Sequence, residues 1–160
     1  MQLVPINGTS LAYRFDGPEG APVLMLSNSL GTNSGMWDAQ IERLSSHFRV
    51  LRYDARGHGE SGVPQGPYDI DLLYRDVLGL LDALHLPHVS FCGLSAGGVV
   101  GMLLGIKSPA RLAKLVLSDG RLVADRIAGA GFVQLEAAHL SNIEQADAFT
   151  DGVLEFLLAK

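Results

Sequence analysis

The 160-residue chain has one cysteine, few aromatic residues (7%) and few basic ones, and none of its apolar runs approaches the ~18 residues that would span a bilayer. Each scarcity excludes something. The lone Cys92 cannot form an intramolecular disulfide and sits in an apolar run, which points to a reducing compartment, with the cytoplasm expected. Twelve Lys and Arg stand against seventeen Asp and Glu, for a net charge of -5. With no dense basic cluster to neutralise a row of phosphates, nucleic acid is excluded as a partner. Met1 to Ile6 has no basic stretch followed by an apolar one, so neither an export signal nor a membrane segment is expected.

Hydrophobic residues at 48%, charged residues at 18% and 19 glycines describe a globular α/β composition. The length fits a single domain, 1–160, large enough to bury a core. Leu3 to Ile6 and Ser10 to Phe15 read as strands joined by a tight turn at Asn7-Gly8. Pro22 to Ser27 is a continuous apolar run of strand length, the form of a parallel strand covered on both faces, and Phe48 to Tyr53, Val89 to Gly93 and Leu112 to Ser118 read as further buried strands. Helical patterns lie between them: Trp37 to Leu44, a longer one capped by Asp69 with Leu73, Val77, Leu80, Leu81 and Leu84 on one face, and Gly97 to Ile106. Strand and helix alternate as in βαβ units, so a mostly parallel sheet flanked by helices is predicted. The C-terminal part reads as a helix over 121–127, a strand from Phe132 to Leu135, a capping box at Ser141 and Glu144, and a last helix with Phe149, Val153 and Phe156 on one side.

Gly93-Leu94-Ser95-Ala96-Gly97 falls where a strand ends and a helix begins. There the glycines relieve crowding around a serine held in a strained turn, with its hydroxyl presented above the sheet as a nucleophile. An acyl-transfer serine needs donors for the developing oxyanion. Ala96 supplies one amide at a helix N-terminus, and the loop Asn28-Ser29-Leu30-Gly31 is placed to supply a second, with Leu30 the best candidate. Serine also needs a base. His139, after the last expected strand, fits the chain order of nucleophile, acid, histidine. His58 belongs to the Arg-Gly-His-Gly loop, and His47, His85 and His88 fall at helix ends or in turns. The acid lies among Asp119, Asp125 and Glu136; Asp119, directly after the strand that ends at Ser118, is the choice, with helix capping as its alternative role.

Ser27-Asn28-Ser29-Leu30-Gly31-Thr32, Met36-Trp37-Asp38, Tyr53-Asp54-Ala55-Arg56-Gly57-His58-Gly59, Phe91-Cys92-Gly93-Leu94-Ser95 and Ala138-His139-Leu140-Ser141-Asn142-Ile143-Glu144-Gln145 together resemble the 3-oxoadipate enol-lactonases of the α/β-hydrolase superfamily. The resemblance implies the α/β-hydrolase fold and hydrolysis of an enol-lactone in aromatic catabolism, without metal or organic cofactor. It implies Ser95 as nucleophile, His139 as base and the Leu30 and Ala96 amides as oxyanion donors, and Ser29 and Trp37 are expected to contact the substrate. In the family, the stretch ending at Ser118 and the one beginning at Asp119 are separated by a helical cap and by the strand that carries the acid. The sequence therefore resembles a truncated or engineered form joined at 118/119, shorter than the roughly 200 to 250 residues of a large α/β domain. Two consequences are expected: lower selectivity at an uncapped site, and a sheet edge that invites a homodimer, domain-swapped in one version. The expected partner is a small ester or lactone. A catalytically inert scaffold and a cofactor-free perhydrolase are the competing readings.

Overall fold

The apolar runs become the interior of one sheet. A computed structural model describes residues 1–118 and 130–159, with six strands: β1 (Gln2–Ile6), β2 (Thr9–Asp16), β3 (Val23–Ser27), β4 (Arg49–Tyr53), β5 (Val89–Leu94) and β6 (Leu112–Ser118). Their order is β1-β2-β4-β3-β5-β6. β1 and β2 form an antiparallel hairpin whose turn residues Asn7 and Gly8 both have positive φ (45° and 76°), the twist that a two-residue hairpin loop demands. β2 continues antiparallel onto β4, and β4, β3, β5 and β6 run parallel.

Among the described residues, five α-helices pack around the sheet: α1 (Asp38–Leu44), α2 (Ile70–Ala83), α3 (Ala96–Lys107), α4 (Ser141–Glu144) and α5 (Ala146–Leu158). Because side chains alternate along a strand, each central strand feeds two cores. Met25, Leu51 and Phe91 meet Val77, Leu80 and Leu81 of α2 and Val100 and Leu104 of α3. Leu24, Leu26, Val50, Cys92 and Leu94 meet Trp37, Leu44 and the Phe149, Val153 and Leu157 ridge of α5. Asp69 caps α2 as expected, its carboxylate accepting the Leu72 amide at 2.7 Å. Among the described residues, no helix is long and apolar enough to cross a membrane.

The C-terminal part departs from expectation. Phe132 to Leu135 is not a strand; Phe132 and Val133 are exposed and Val133 lies against Gly152 of α5. A segment of four residues becomes a strand only where a ladder forms, and this one joins no sheet. The capping box does not form either: Ser141 is inside α4 with its hydroxyl 3.1 Å from that of Ser118, while Glu144 accepts the Ala138 amide at 3.0 Å. On α5 the buried ridge runs through Leu157, four residues after Val153, and Phe156 is partly exposed. The helix expected over 121–127, and the junction at 118/119 with Asp119, lie outside the described residues.

Phe91 is fully enclosed between the sheet and α3, and a side chain at Gly101 of α3 would approach its ring to 3.0 Å. Phe91→Ala is expected to lower the unfolding free energy by about 3–5 kcal/mol, measured by urea denaturation.

Candidate active site

The site is built where β3, β4 and β5 end. Ser95 follows β5 directly and opens α3 with φ 55° and ψ -116°. That region is costly for a residue with a β-carbon, by about 1–3 kcal/mol, and persists only where its surroundings enforce it. They do so through contact of bare backbones. A β-carbon at Gly93 would come 2.3 Å from the Gly97 carbonyl oxygen, and one at Gly97 would come 2.2 Å from that of Ser27. The start of α3 is thereby pressed against the ends of both β5 and β3. The Gly97 amide donates to the Asn28 carbonyl at 3.0 Å and locks the approach. Ser95 itself is only partly buried.

Asn28 is held from three sides. Besides receiving Gly97, its side-chain amide donates to the Tyr53 carbonyl at 2.9 Å, and its Oδ1 accepts the Trp37 indole N–H at 2.9 Å. The loop after it turns back on itself: the amide and hydroxyl of Thr32 both donate to the Ser29 carbonyl, at 3.3 and 2.7 Å. Leu30 projects from this turn with its side chain 70% exposed. Among the described residues, no hydrogen bond takes up the amide of Leu30 or of Ala96. Ala96 stands at the first position of α3, where an N–H has no partner inside the helix. Leu30 and Ala96 both border a cavity of about 20 Å³, room for one water, whose walls include Asn28, Ser29, Tyr53 and His58.

Beneath the cavity the polar groups are paired. The Tyr53 hydroxyl lies 2.8 Å from Ser27 Oγ, and burial pushes the Tyr53 phenol up to about 12. Arg56 donates from Nε and Nη2 to the two carboxylate oxygens of Asp76, which also accepts from Asn7. That hydrogen-bonded carboxylate raises the Arg56 pKa above its ordinary value. Asp54 ties two loops to the end of β4, accepting the Ser34 amide at 2.7 Å and the Glu60 amide at 2.8 Å.

Of the residues expected at the site, Ser29, Leu30 and Ala96 border the cavity, and Ser95 directly precedes Ala96 in the chain without lining it. His139 is exposed and lies two residues before Ser141, whose hydroxyl meets Ser118 at 3.1 Å. Ser118 pairs with Leu94 in the sheet, so this contact ties the segment following His139 to the strand end beside the elbow. Asp119 lies outside the described residues. Trp37 is corrected: it has no exposed surface, packs against Phe149 and spends its N–H on Asn28, so it supports the loop and does not touch a ligand. Sequence reading missed His58 and Asn28. His58 Nε2 accepts the Gly31 amide at 3.1 Å. Its signal was the position of the Arg-Gly-His-Gly loop after β4, which is visible as meaningful only once β4 is known to lie beside β3. Among the described residues, no cluster of three or more His, Cys, Asp and Glu is arranged to hold a metal.

A model of the alpha/beta hydrolase fold matches residues 22–144. The chain belongs to the α/β-hydrolase family. It is 44% identical over 110 residues to 3-oxoadipate enol-lactonase 2 of Acinetobacter baylyi, a match covering 69% of this chain and 41% of that protein. It thus spans about two fifths of the length of that curated relative. Its structure resembles that of the enol-lactonase from Burkholderia xenovorans LB400 with a TM-score of 0.95 and 32% identity, over 99% of this chain and 100% of that one. A thermophilic esterase from Thermogutta terrifontis aligns with a TM-score of 0.67 and 36% identity, over 73% of this chain and 45% of that one.

Two expectations follow from the packing behind the elbow. Trp37→Phe leaves Asn28 Oδ1 buried without its donor and is expected to cost about 1–3 kcal/mol of stability, read by thermal or urea unfolding. Burial also pushes the Cys92 thiol up to about 12, as it does the Tyr53 phenol, against ordinary values of 9.0 and 10.0. The folded chain therefore keeps two protons that the unfolded chain sheds as pH rises past those ordinary values. Stability is expected to fall from about pH 9 toward pH 12, with the urea midpoint moving down, and Cys92→Ala and Tyr53→Phe should each remove part of the slope.

Proposed function

We propose that the chain hydrolyses a carboxylic ester or lactone, in the manner of a 3-oxoadipate enol-lactonase, through an acyl-enzyme on Ser95. The observation that carries this reading is the strained Ser95 backbone at the β5–α3 junction, with Leu30 and the adjoining Ala96 bordering one cavity. A strained serine in that position serves packing poorly and presents a hydroxyl well.

In this reading His139 takes the proton from Ser95 Oγ as the oxygen attacks the carbonyl carbon. The negative charge moves onto the carbonyl oxygen and is received by the Leu30 and Ala96 amides. His139 then returns the proton to the departing oxygen, which in a lactone stays attached to the acyl chain. Water, activated by the same histidine, completes the cycle and frees Ser95. Asp119 would hold the imidazole with its Nδ1–H directed away from the serine. The solved enol-lactonase and esterase that the chain resembles support a small carbonyl substrate.

The test is hydrolysis of p-nitrophenyl acetate by the wild type, Ser95→Ala and Asp119→Asn, each checked for folding by circular dichroism. Ser95→Ala is expected to remove activity by about 10³-fold or more, and Asp119→Asn to lower it by about 10²- to 10⁴-fold. A wild type no faster than Ser95→Ala would make the chain an inert scaffold.

A further inference from the structure

The Leu30 loop is a reverse turn closed by the Thr32 amide donating to the Ser29 carbonyl, with Gly31 as its third residue at φ 75°. A positive φ at that position is the mark of a type II turn. Such a turn differs from the type I form mainly by a half-rotation of its central peptide, here Leu30–Gly31. The two forms point the Gly31 N–H, and the Leu30 carbonyl opposite it, in exchanged directions. In the structure that N–H donates to His58 Nε2 at 3.1 Å. His58 Nδ1 lies 3.0 Å from the Arg56 carbonyl oxygen, which can only accept. The two contacts together settle the imidazole: Nδ1 carries the proton and Nε2 the lone pair, so the ring is neutral. His58, Leu30 and Ala96 border the same cavity.

We propose that His58 is a positioning residue for hydrolysis: its neutral ring clamps the Leu30–Gly31 peptide so that the Leu30 carbonyl oxygen stays turned away from the oxyanion that the Leu30 amide receives. The kinetic half of this inference rests on the reading of Leu30 as an oxyanion donor; the clamp itself does not. Protonation of His58 gives Nε2 a hydrogen that opposes the Gly31 N–H, which releases the clamp. The ionisable groups facing the ring around the cavity are Tyr53 at the end of β4, Arg56 in the same loop and Asp76 on α2. Tyr53 stays neutral and Arg56 and Asp76 neutralise one another, so the charge change of the ring is the event that acts on the loop. The Ala96, Gly97 and Val100 positions of α3 add no charge.

Two variants separate accepting from titrating. His58→Leu has no acceptor, whereas His58→Gln can offer Oε1 to the Gly31 amide at every pH. With p-nitrophenyl acetate, His58→Leu is expected to lose about tenfold in kcat with KM changed less than about twofold, short of the 10²- to 10³-fold typical of deleting a donor outright. His58→Gln should recover most of that loss. On the acid side, the rate of the wild type should fall more steeply than that of His58→Gln, whose acceptor cannot take a proton. In parallel, the Gly31 amide resonance, followed by proton–nitrogen NMR in the free protein, should move with pH in the wild type, hold still in His58→Gln, and sit at its released position in His58→Leu. Full kcat in a folded His58→Leu, or a Gly31 resonance indifferent to pH and to that variant, overturns the proposal. If the wild type shows no Ser95-dependent hydrolysis, the enzymatic reading has failed on its own account, and the Gly31 resonance still decides whether His58 holds the turn.

Discussion

The upper end of the sheet hangs on Asn28. Its backbone carbonyl takes the Gly97 amide, its side chain joins the Tyr53 carbonyl to the Trp37 indole, and the residue is 7% exposed. Each such bond contributes only about 0.5–1.5 kcal/mol net, but a buried group left without its partner costs about 1–3 kcal/mol, so the four groups are far more stable together than in any partial arrangement. That cooperation fixes β3, β4, α1 and α3 relative to one another at one point. Whatever Ser95 and Leu30 do, they do from opposite sides of that point.

The strand order explains why the point lies there. From β3 the chain leaves through α1 to β4 on one side, and from β5 it leaves through α3 to β6 on the other. The loops after β3 and β5 therefore diverge to opposite faces and leave a crevice between the carboxyl ends of adjacent strands, which is where ligands settle in open parallel sheets. The loop bearing Leu30 and the turn bearing Ser95 are the two walls of that crevice. Two cores, one per face, keep the walls from drifting, since Met25 and Phe91 pack toward α2 and α3 while Leu26 and Leu94 pack toward α1 and α5.

The sheet was legible because buried parallel strands are written as short, mostly apolar, β-branched or aromatic segments, and Val23–Ser27, Arg49–Tyr53, Val89–Leu94 and Leu112–Ser118 are all of this length and kind, with charges confined to Arg49, Arg52 and Lys114. The elbow was legible because glycines on both sides of a serine, at the point where a strand ends, serve close backbone approach rather than side-chain packing. Trp37 was misread because an aromatic near a site motif looks the same in sequence whether it faces a ligand or the core; only its burial and its bond to Asn28 decide. Phe132 to Leu135 failed for a related reason, since strand propensity cannot say whether a sheet edge is offered to it. Asn28 and His58 were invisible as partners because their contacts reach 25 and 27 residues along the chain, and periodicity carries no information at that range.

Strain at Ser95 makes sense only against this background. A backbone at φ 55° would relax if either flank could yield, and neither can. Behind it, Phe91, Cys92 and Leu94 have no exposed surface, and ahead of it Gly97 and Gly98 are buried against Ser27 and Ser118 at distances that leave no room for a β-carbon at Gly97. Rigidity on both flanks means that substrate binding need not organise the nucleophile, and the same rigidity throws any adjustment of the site onto the one wall that is not packed. That wall is the turn bearing Leu30, whose side chain is mostly exposed and which is held from outside by His58 Nε2 at the Gly31 amide and by Met36 Sδ at the Ser29 amide and the Thr32 hydroxyl. The fold thus divides its labour: the core fixes where Ser95 stands, and a surface turn, held by these weaker contacts, borders the cavity next to Ala96.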